Sequence, residues 1–416
     1  MKTKINVYCD RSPLDSLPDE LAGFVRQKRL FKSGEKSVSF CGVIFSQGYM
    51  NLFFPRAVNL VKVDLAVSAR LLTQTLLKYH QAYDRGILSD DDGESVEEGD
   101  SLSLVFNILE EFRHNGLYSR RKVFQTRNTG KIDWRRTIAM EKPFFQKSGA
   151  PIYLDYRGSS RRYESDCDIA RIHAKIVCKL ITEYGMLFDQ LEPPSINVSG
   201  IDLANKDYYI AKLKEELSEA YSDSDIRLLQ ALIMYLERGF GASESEYIFG
   251  LTAFHTVWEY MLSEVLLNTI SLVEKLPVPS YKLSLEGGEV EAPRKSGRMD
   301  VVLKAPRTDF YCVVDAKYYE AKTLETSPGW KDLVKQFFYA KAIKEVFPSS
   351  TVSNAFIFPG SVDHWKSAHM KNRQTGTLMD TDYVPIKCFY VDPLEVMDSF
   401  VRGTKLKDLS ERILQN

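Results

Sequence analysis

Cysteine is sparse and unpaired in this chain. Cys9, Cys41, Cys167, Cys178, Cys312 and Cys388 are scattered over 416 residues with no CxxC among them. That spacing gives neither a zinc ribbon nor a disulfide framework, and it suits a reducing compartment. Long apolar runs are missing too: none reaches eighteen residues, so no bilayer-spanning helix is predicted. The opening MKTKINVYCDRSPLD lacks the apolar core of a secretory signal, and a cytoplasmic location is expected. The six histidines form no HExxH, and no GxSxG occurs, which excludes the common zinc-protease helix and the nucleophile elbow. There is no GxxxxGK[ST], and GEKS at 34–37 lacks the upstream glycine frame. A nucleotide-driven motor, if one is needed, must be another chain. Excess charge of one sign is absent as well. With 55 Lys and Arg against 56 Asp and Glu, no global field advertises a nucleic acid or a membrane.

What is present reads as a globular protein of two or three domains, 44% hydrophobic and 27% charged. Residues 1–64 form a β-containing region, in which SVSFCGVIFSQGYMNLFFPRAVNLV (38–62) gives two short β runs around a Gln-Gly turn. Residues 65–245 are expected to be mainly helical, with helices over 65–83, 102–113, 168–188 and 206–238. Between the first two lies DDDGESVEEGD (90–100), seven acids and no base, a pattern of solvated loops. The charge then reverses. From Arg113 to Arg136 eight Lys and Arg face the single acid Asp133, interleaved with Tyr118, Phe124 and Trp134. Such a mixture suits phosphate contacts and stacking, or simply a basic face paired with the acidic run. Lys131, Arg135 and Arg136 are candidate contacts to a partner or to DNA phosphate, whereas Trp134 is expected in the core. His173, among Ile172, Ile176 and Val177, reads as structural, and the DCD at 166–168 has no apolar strand leading into it. RGFGASESEY (238–247) is a candidate boundary. Residues 246–416 then run helix, strand, strand, helix, strand, strand, a mixed sheet flanked by helices. The whole is an α+β (α/β) multidomain protein.

The chemistry concentrates in that last region. In CVVDAKYY (312–319) an aspartate and a lysine two apart interrupt an apolar strand. Period-two geometry sends Asp315 and Lys317 to one face. Buried charges are costly unless paired or bound to a metal. Asp300 opens the preceding strand, RMDVVL. Neighbouring strands lie about 4.8 Å apart, close enough for two carboxylates to share one ion. Magnesium takes such oxygen ligands, completed by water and substrate phosphate. Lys317 is then placed to orient water or stabilise charge in the transition state. Glu259, on the helix before these strands, is a candidate further carboxylate. On the helix after them Asp332, Gln336 and Tyr339 share one stripe at i, i+4 and i+7, with Val334, Phe337 and Phe338 on the other side. The polar stripe is expected to face the groove.

This order resembles the PD-(D/E)xK nuclease core, with Met299 standing where the family has proline. DAKYY followed by a helix bearing Gln and Tyr is similar to the nuclease subunits of McrC and LlaJI type restriction systems. CGVIFSQGYMNLFFPRAV, GKIDWRRTI (130–138) and the IHAKIVCKLITEYG helix extend the likeness to the LlaJI branch over most of the chain. The resemblance implies a DNA endonuclease subunit that uses Mg2+, with Mn2+ as a substitute. It implies Asp300 and Asp315 as metal ligands, Lys317 as catalytic lysine, and Glu259, Gln336 and Tyr339 in supporting roles. It also implies double-stranded DNA as substrate and a separate McrB-like AAA+ NTPase as partner, with pairing of nuclease domains for double-strand cleavage and no membrane. The alternatives on the same residues are a non-catalytic adaptor, or a nuclease of DNA repair or of RNA.

Overall fold

The secondary structure is read from a computed structural model that describes residues 4–31, 34, 36–46, 48–60, 64–84, 100–188, 191–238, 247–282, 289–291 and 298–415. The acidic run before Asp100 and the 239–246 part of the expected boundary lie outside the described residues. In chain order the elements are β1 (Lys4–Cys9), α1 (Asp19–Gln27), β2 (Cys41–Ser46), β3 (Tyr49–Phe54) and α2 (Leu65–Asp84). Next come α3 (Asp100–Asn115), β4 (Arg120–Arg127), β5 (Lys131–Ile132), α4 (Trp134–Met140), β6 (Phe144–Phe145), β7 (Pro151–Ile152) and β8 (Arg157–Glu164). They are followed by α5 (Asp168–Tyr184), α6 (Lys206–Glu219) and α7 (Asp223–Glu237). The last part holds β9 (Tyr247–Leu251), α8 (Phe254–Val265), β10 (Ser280–Lys282), β11 (Glu289–Glu291), β12 (Val301–Lys304) and β13 (Phe310–Ala316). It ends with α9 (Trp330–Val346), β14 (Thr351–Pro359), β15 (Ser367–Ala368), β16 (Ile386–Val391), α10 (Pro393–Arg402) and α11 (Lys407–Leu414). Among the described residues no helix is long and apolar enough to cross a membrane.

These elements form two compact units, Met1–Asp100 with Glu246–Asn416, and Ser101–Ser245. The first contains two larger sheets and the two-stranded β10-β11. One has the order β1-β3-β2-β9, so a strand from beyond residue 246 completes the N-terminal sheet. β2 and β9 approach closely where Gly42 faces Gly250. A Cβ on Gly42 would lie 2.2 Å from the Phe249 carbonyl oxygen, and one on Gly250 would meet the Phe40 ring at 2.4 Å. Glycine at both positions is thus a packing requirement. The other sheet has the order β12-β13-β14-β16-β15. β13 runs antiparallel to β12 and parallel to β14, and β16 is parallel to β14. Every residue of FYCVVDA in β13 is buried, as expected of a strand covered on both faces. α10 is well delimited: Asp392 caps its first turn by accepting the Leu394 N–H at 2.9 Å, Pro393 opens it, and Gly403 closes it at φ +67°.

The second unit adds a sheet to the expected helices. Its helices are joined by a three-stranded antiparallel sheet, β4-β8-β5. The basic segment RRKVFQTR pairs residue for residue with RGSSRRYE, and neither shows the 3.6-residue apolar stripe that would have made it a helix. The 206–238 stretch is two helices. Ala220 turns extended at ψ 138°, and the acids of SDSD open α7, where they complement the helix dipole. α2 and α3 bury Leu72, Leu76 and Tyr79, and Val105, Ile108 and Leu109, as their spacing predicts. Trp134 is 55% exposed, so its place in the core is corrected: it opens the short helix α4 on the surface.

His173 is fully buried on α5, and its Nδ1 accepts the Tyr118 backbone N–H at 3.2 Å. Burial lowers its pKa from the usual 6.5 to about 4. Because the unfolded chain takes up this proton first, its contribution to stability is complete above pH 6.5 and is lost as pH falls towards 4. Chemical denaturation of wild type should therefore weaken over that window by up to about 1.4 kcal/mol per pH unit more than that of His173→Asn, which keeps an acceptor. Equal pH slopes in the two proteins would remove this role.

Candidate active site

The centre of the site follows from strand register. Val301 pairs with Val314, so one residue further Asp300 stands beside Asp315 at the exit of β13. Both carboxylates are largely buried, and two lysines hold them. Lys317 Nζ lies 2.6 Å from Asp315 Oδ2 and donates to Asp332 Oδ1 at 2.6 Å. Lys335 Nζ donates to Asp315 Oδ1 at 3.0 Å and sits 3.6 Å from Asp300 Oδ1. The other oxygen of Asp300 accepts the Ala316 backbone N–H at 2.8 Å. Lys317 is itself anchored through the main chain, its N–H donating to the Ile357 carbonyl of β14 at 2.9 Å.

The two carboxyls are driven apart electrostatically. Burial, and then the neighbouring Asp315 charge, raise the Asp300 pKa to about 6 against the pull of Lys335. Burial also opposes ionisation of Asp315, but Lys317 and Lys335 outweigh it and hold that carboxyl below its usual value. One carboxylate is secure and its neighbour is poised. This split is the usual outcome when two acids share a site.

Helix α9 presents its polar stripe inward. Tyr311 and Val313 pack with Tyr339 and Ile343, and two residues along the strand Asp315 meets Lys335, one helical turn before Tyr339. Gln336 is 0% exposed, and neither its Oε1 nor its Nε2 has a hydrogen-bond partner in the protein. Tyr339 donates its hydroxyl proton to the Arg298 carbonyl at 2.6 Å. Asp332 lies in the first turn, where its Oδ2 accepts the Gly329 N–H at 3.1 Å. The apolar Val334 and Phe338 point to solvent instead. Sequence reasoning passed over Lys335, although its position three residues after Asp332 puts it on the same stripe.

Glu259 is half-buried on α8, and the strongest influences on the two acids are burial, the two lysines and, for Asp300, the Asp315 charge. Among the described residues no three His, Cys, Asp or Glu side chains converge as a ready-made metal cage. Both polar atoms of Gln336 are nevertheless buried without hydrogen-bond partners, which is costly unless something else satisfies them.

A second feature abuts the centre. Tyr318, next to Lys317, is buried with its hydroxyl 3.5 Å from Cys41 Sγ, and it accepts the Arg56 N–H at 3.1 Å. The Arg56 guanidinium covers the Tyr318 ring and pairs with Asp10 at 3.0 Å. A groove of about 890 Å3 runs here, lined by Arg11, Arg56, Tyr319, Lys322 and Asp332 among others. Lys131, Arg135 and Arg136 belong to the second unit. Lys131 and Arg135 are exposed, and the Arg136 N–H caps onto Asp133 at 3.1 Å. Around them Trp134, Ile138, Phe144, Phe145 and Leu154 are exposed as well.

Fold and site together define a mixed α+β protein with two acids and two lysines gathered at the end of a buried strand. The sequence model of the LlaJI restriction endonuclease family matches residues 40–375, and the chain belongs to that family. It is 26% identical over 348 residues to "Type II restriction enzyme BsuMI component YdjA" of Bacillus subtilis strain 168, covering 79% of this chain and 74% of that one. Among solved structures it aligns with a half-complex of Thermococcus gammatolerans McrB AAA+ hexamers with bound McrC. That alignment has 11% identity, covers 96% of this chain and 99% of that one, and reaches a TM-score of 0.40.

The raised Asp300 pKa has a testable sign. A carboxyl that holds its proton more tightly when folded adds stability below the unfolded pKa of 3.8, and loses it as pH rises through about 6. At pH 7.5 in EDTA, Asp300→Asn should melt above wild type, by on the order of 1–3 kcal/mol, while the two converge at pH 4. A variant less stable than wild type at pH 7.5 would contradict it.

Proposed function

We propose that this chain is the cutting subunit of a restriction complex, a metal-dependent endonuclease acting on double-stranded DNA. The observation that carries the reading is the convergence of Asp300 and Asp315 at one strand end, with Lys317 2.6 Å from Asp315. The donor set fits Mg2+, with Mn2+ as a substitute: all-oxygen, two adjoining carboxylates at one strand end, and no further side-chain cage among the described residues. Magnesium typically takes one or two carboxylates and fills its remaining positions with water and substrate phosphate. Asp300 and Asp315 would hold it, and when bound it would polarise the phosphodiester and lower the pKa of a water.

The remaining steps belong to the chain. Lys317 orients the attacking water and stabilises negative charge on the phosphoryl oxygens as the bond to the leaving oxygen breaks. Asp332 fixes the lysine's direction through its 2.6 Å hydrogen bond. Lys335 bridges the two acids, and the next residue, Gln336, keeps an unpartnered buried amide on the same helix. Two carboxylates left unopposed would repel each other. Lys335 offsets that repulsion.

The family, the relative's description as one component of a restriction enzyme, and the absence of a P-loop support a separate AAA+ NTPase as partner. The exposed apolar residues around Trp134 and Phe145, flanked by Lys131 and Arg135, supply a surface suited to such a protein. One such centre cuts one strand, so double-strand breaks need two copies of the nuclease domain. The test is cleavage of supercoiled plasmid in Mg2+ or Mn2+, with and without a candidate AAA+ NTPase partner. Lys317→Ala and Asp315→Asn should each lose at least about a hundredfold in rate. Equal cutting by wild type and both variants would reject the catalytic assignment, and full restriction function in Asp315→Asn would make the chain an adaptor.

A further inference from the structure

The chain leaves β14 at Pro359, two residues after the carbonyl that fixes Lys317, and does not return to the sheet core until Ile386. This long excursion is built rather than slack. Its foot is stitched to the sheet edge by β15, which pairs with β16 through Ser367 and Ala368. His369 is held from both ring nitrogens, with Nδ1 2.9 Å from Asp380 Oδ1 and Nε2 2.7 Å from Ser367 Oγ. Trp365 and Ala368 pack in one cluster with Leu333 and Phe337 of α9, and the Tyr383 ring lies 5.3 Å from that of Phe337. Leu333 and Phe337 directly follow Asp332 and Gln336, so the excursion is rooted on the helix that lines the centre.

Beyond this foot the chain forms a narrow antiparallel ribbon. The Met379 N–H donates to the Met370 carbonyl and the Asn372 N–H to the Thr377 carbonyl, each at 2.9 Å. Asn372 Oδ1 accepts the N–H groups of Gln374 and Thr375, and Gly376 takes φ +73° to close the tip. The charge is one-sided. From His364 to Met379 sixteen residues carry Lys366, Lys371 and Arg373 and no acid. All three cations are exposed, and among the described residues none has an ion-pair partner. A hydrogen-bonded ribbon that carries three exposed cations, with Asp363, Asp380 and Asp382 flanking it, and is rooted beside a centre that would cut phosphodiesters is complementary to a polyanion along its outer part.

We propose that the 364–379 ribbon is a DNA clamp, in which Lys366, Lys371 and Arg373 bind backbone phosphates of the duplex flanking the cut. The inference rests on the endonuclease reading and adds to it the surface that holds the substrate. A two-stranded ribbon is narrow enough to lie along a groove of B-DNA, with its cations reaching the phosphates on either side.

Fluorescence anisotropy with a labelled 30-base-pair duplex tests the clamp on the full chain in EDTA, across 50–200 mM salt. Lys366→Ala/Lys371→Ala/Arg373→Ala should bind at least about tenfold more weakly at the low-salt end. The slope of log K against log salt should fall by about 0.9 for each contact removed. Lys366→Arg/Lys371→Arg should keep the wild-type slope, and thermal melting of all three proteins should agree. Unchanged affinity and slope in the alanine variant would overturn the clamp and leave the cutting centre standing. Wild type that binds no duplex, and cuts none in the plasmid assay, would remove the endonuclease reading and the clamp together.

Discussion

Two carboxylates buried side by side are the most expensive feature of this molecule, and much of the first unit is arranged around making them tolerable. Asp300 and Asp315 come together because β12 and β13 pair in one register, and that register is set by apolar residues on both faces of the strands. Each lysine that offsets them is supplied by a different element. Lys317 comes from the strand's own exit and Lys335 from α9, while Asp332 ties the first lysine to the same helix. The result is a network in which no charge stands alone. Removing one member of such a network exposes the rest, whereas a divalent cation could take over the role of a lysine.

That network is also buttressed from behind. Tyr318 turns away from the carboxylates into the N-terminal sheet, where Cys41, the Arg56 backbone and the rings of Phe254 and Trp258 enclose it. The lysine at 317 and the tyrosine at 318 therefore secure opposite sides of one strand end. The N-terminal strands are part of the same compact unit as the centre, closed by β9 across the Gly42 and Gly250 pair. A change in the sheet around Cys41 reaches the Lys317 backbone through the 3.5 Å contact of Cys41 with Tyr318, the adjoining residue.

The second unit has a different physical character. Its core is conventional: α5 buries Ile169, Ile172, Ile176, Val177 and Leu180 along one face, and Glu216 is paired with Arg120 and Tyr118. Its sheet and short helix, however, leave aromatic and aliphatic side chains on the surface among arginines and lysines. Apolar surface mixed with cations suits a protein partner that covers it. The division of labour proposed above, cutting in one unit and docking in the other, follows from that contrast.

How much of this was legible in the chain depends on the range of the interaction. The strands carrying Asp300, Asp315 and Lys317, the helices on either side and the paired runs around Gly48 could be read directly, because period-two and period-3.6 patterns are written in consecutive residues. The likeness to the LlaJI branch was readable for the same reason. Other features needed the folded chain. The 206–238 stretch looks continuous until α6 and α7 pack on each other, and the arginine-rich segment becomes a strand only when β8 pairs with it. Trp134 reads as core and lies on the surface, while Gln336, expected to line a groove, is sealed inside. Side-chain polarity states what water prefers, but not which face the rest of the protein covers. Lys335 shows the same limit: its spacing placed it on the right stripe, and only the approach of α9 to β13 brought its charge to the two acids. Local pattern determined the elements and the chemistry they carry, and tertiary packing decided which charges meet, because electrostatic partners far apart in sequence are chosen by the fold.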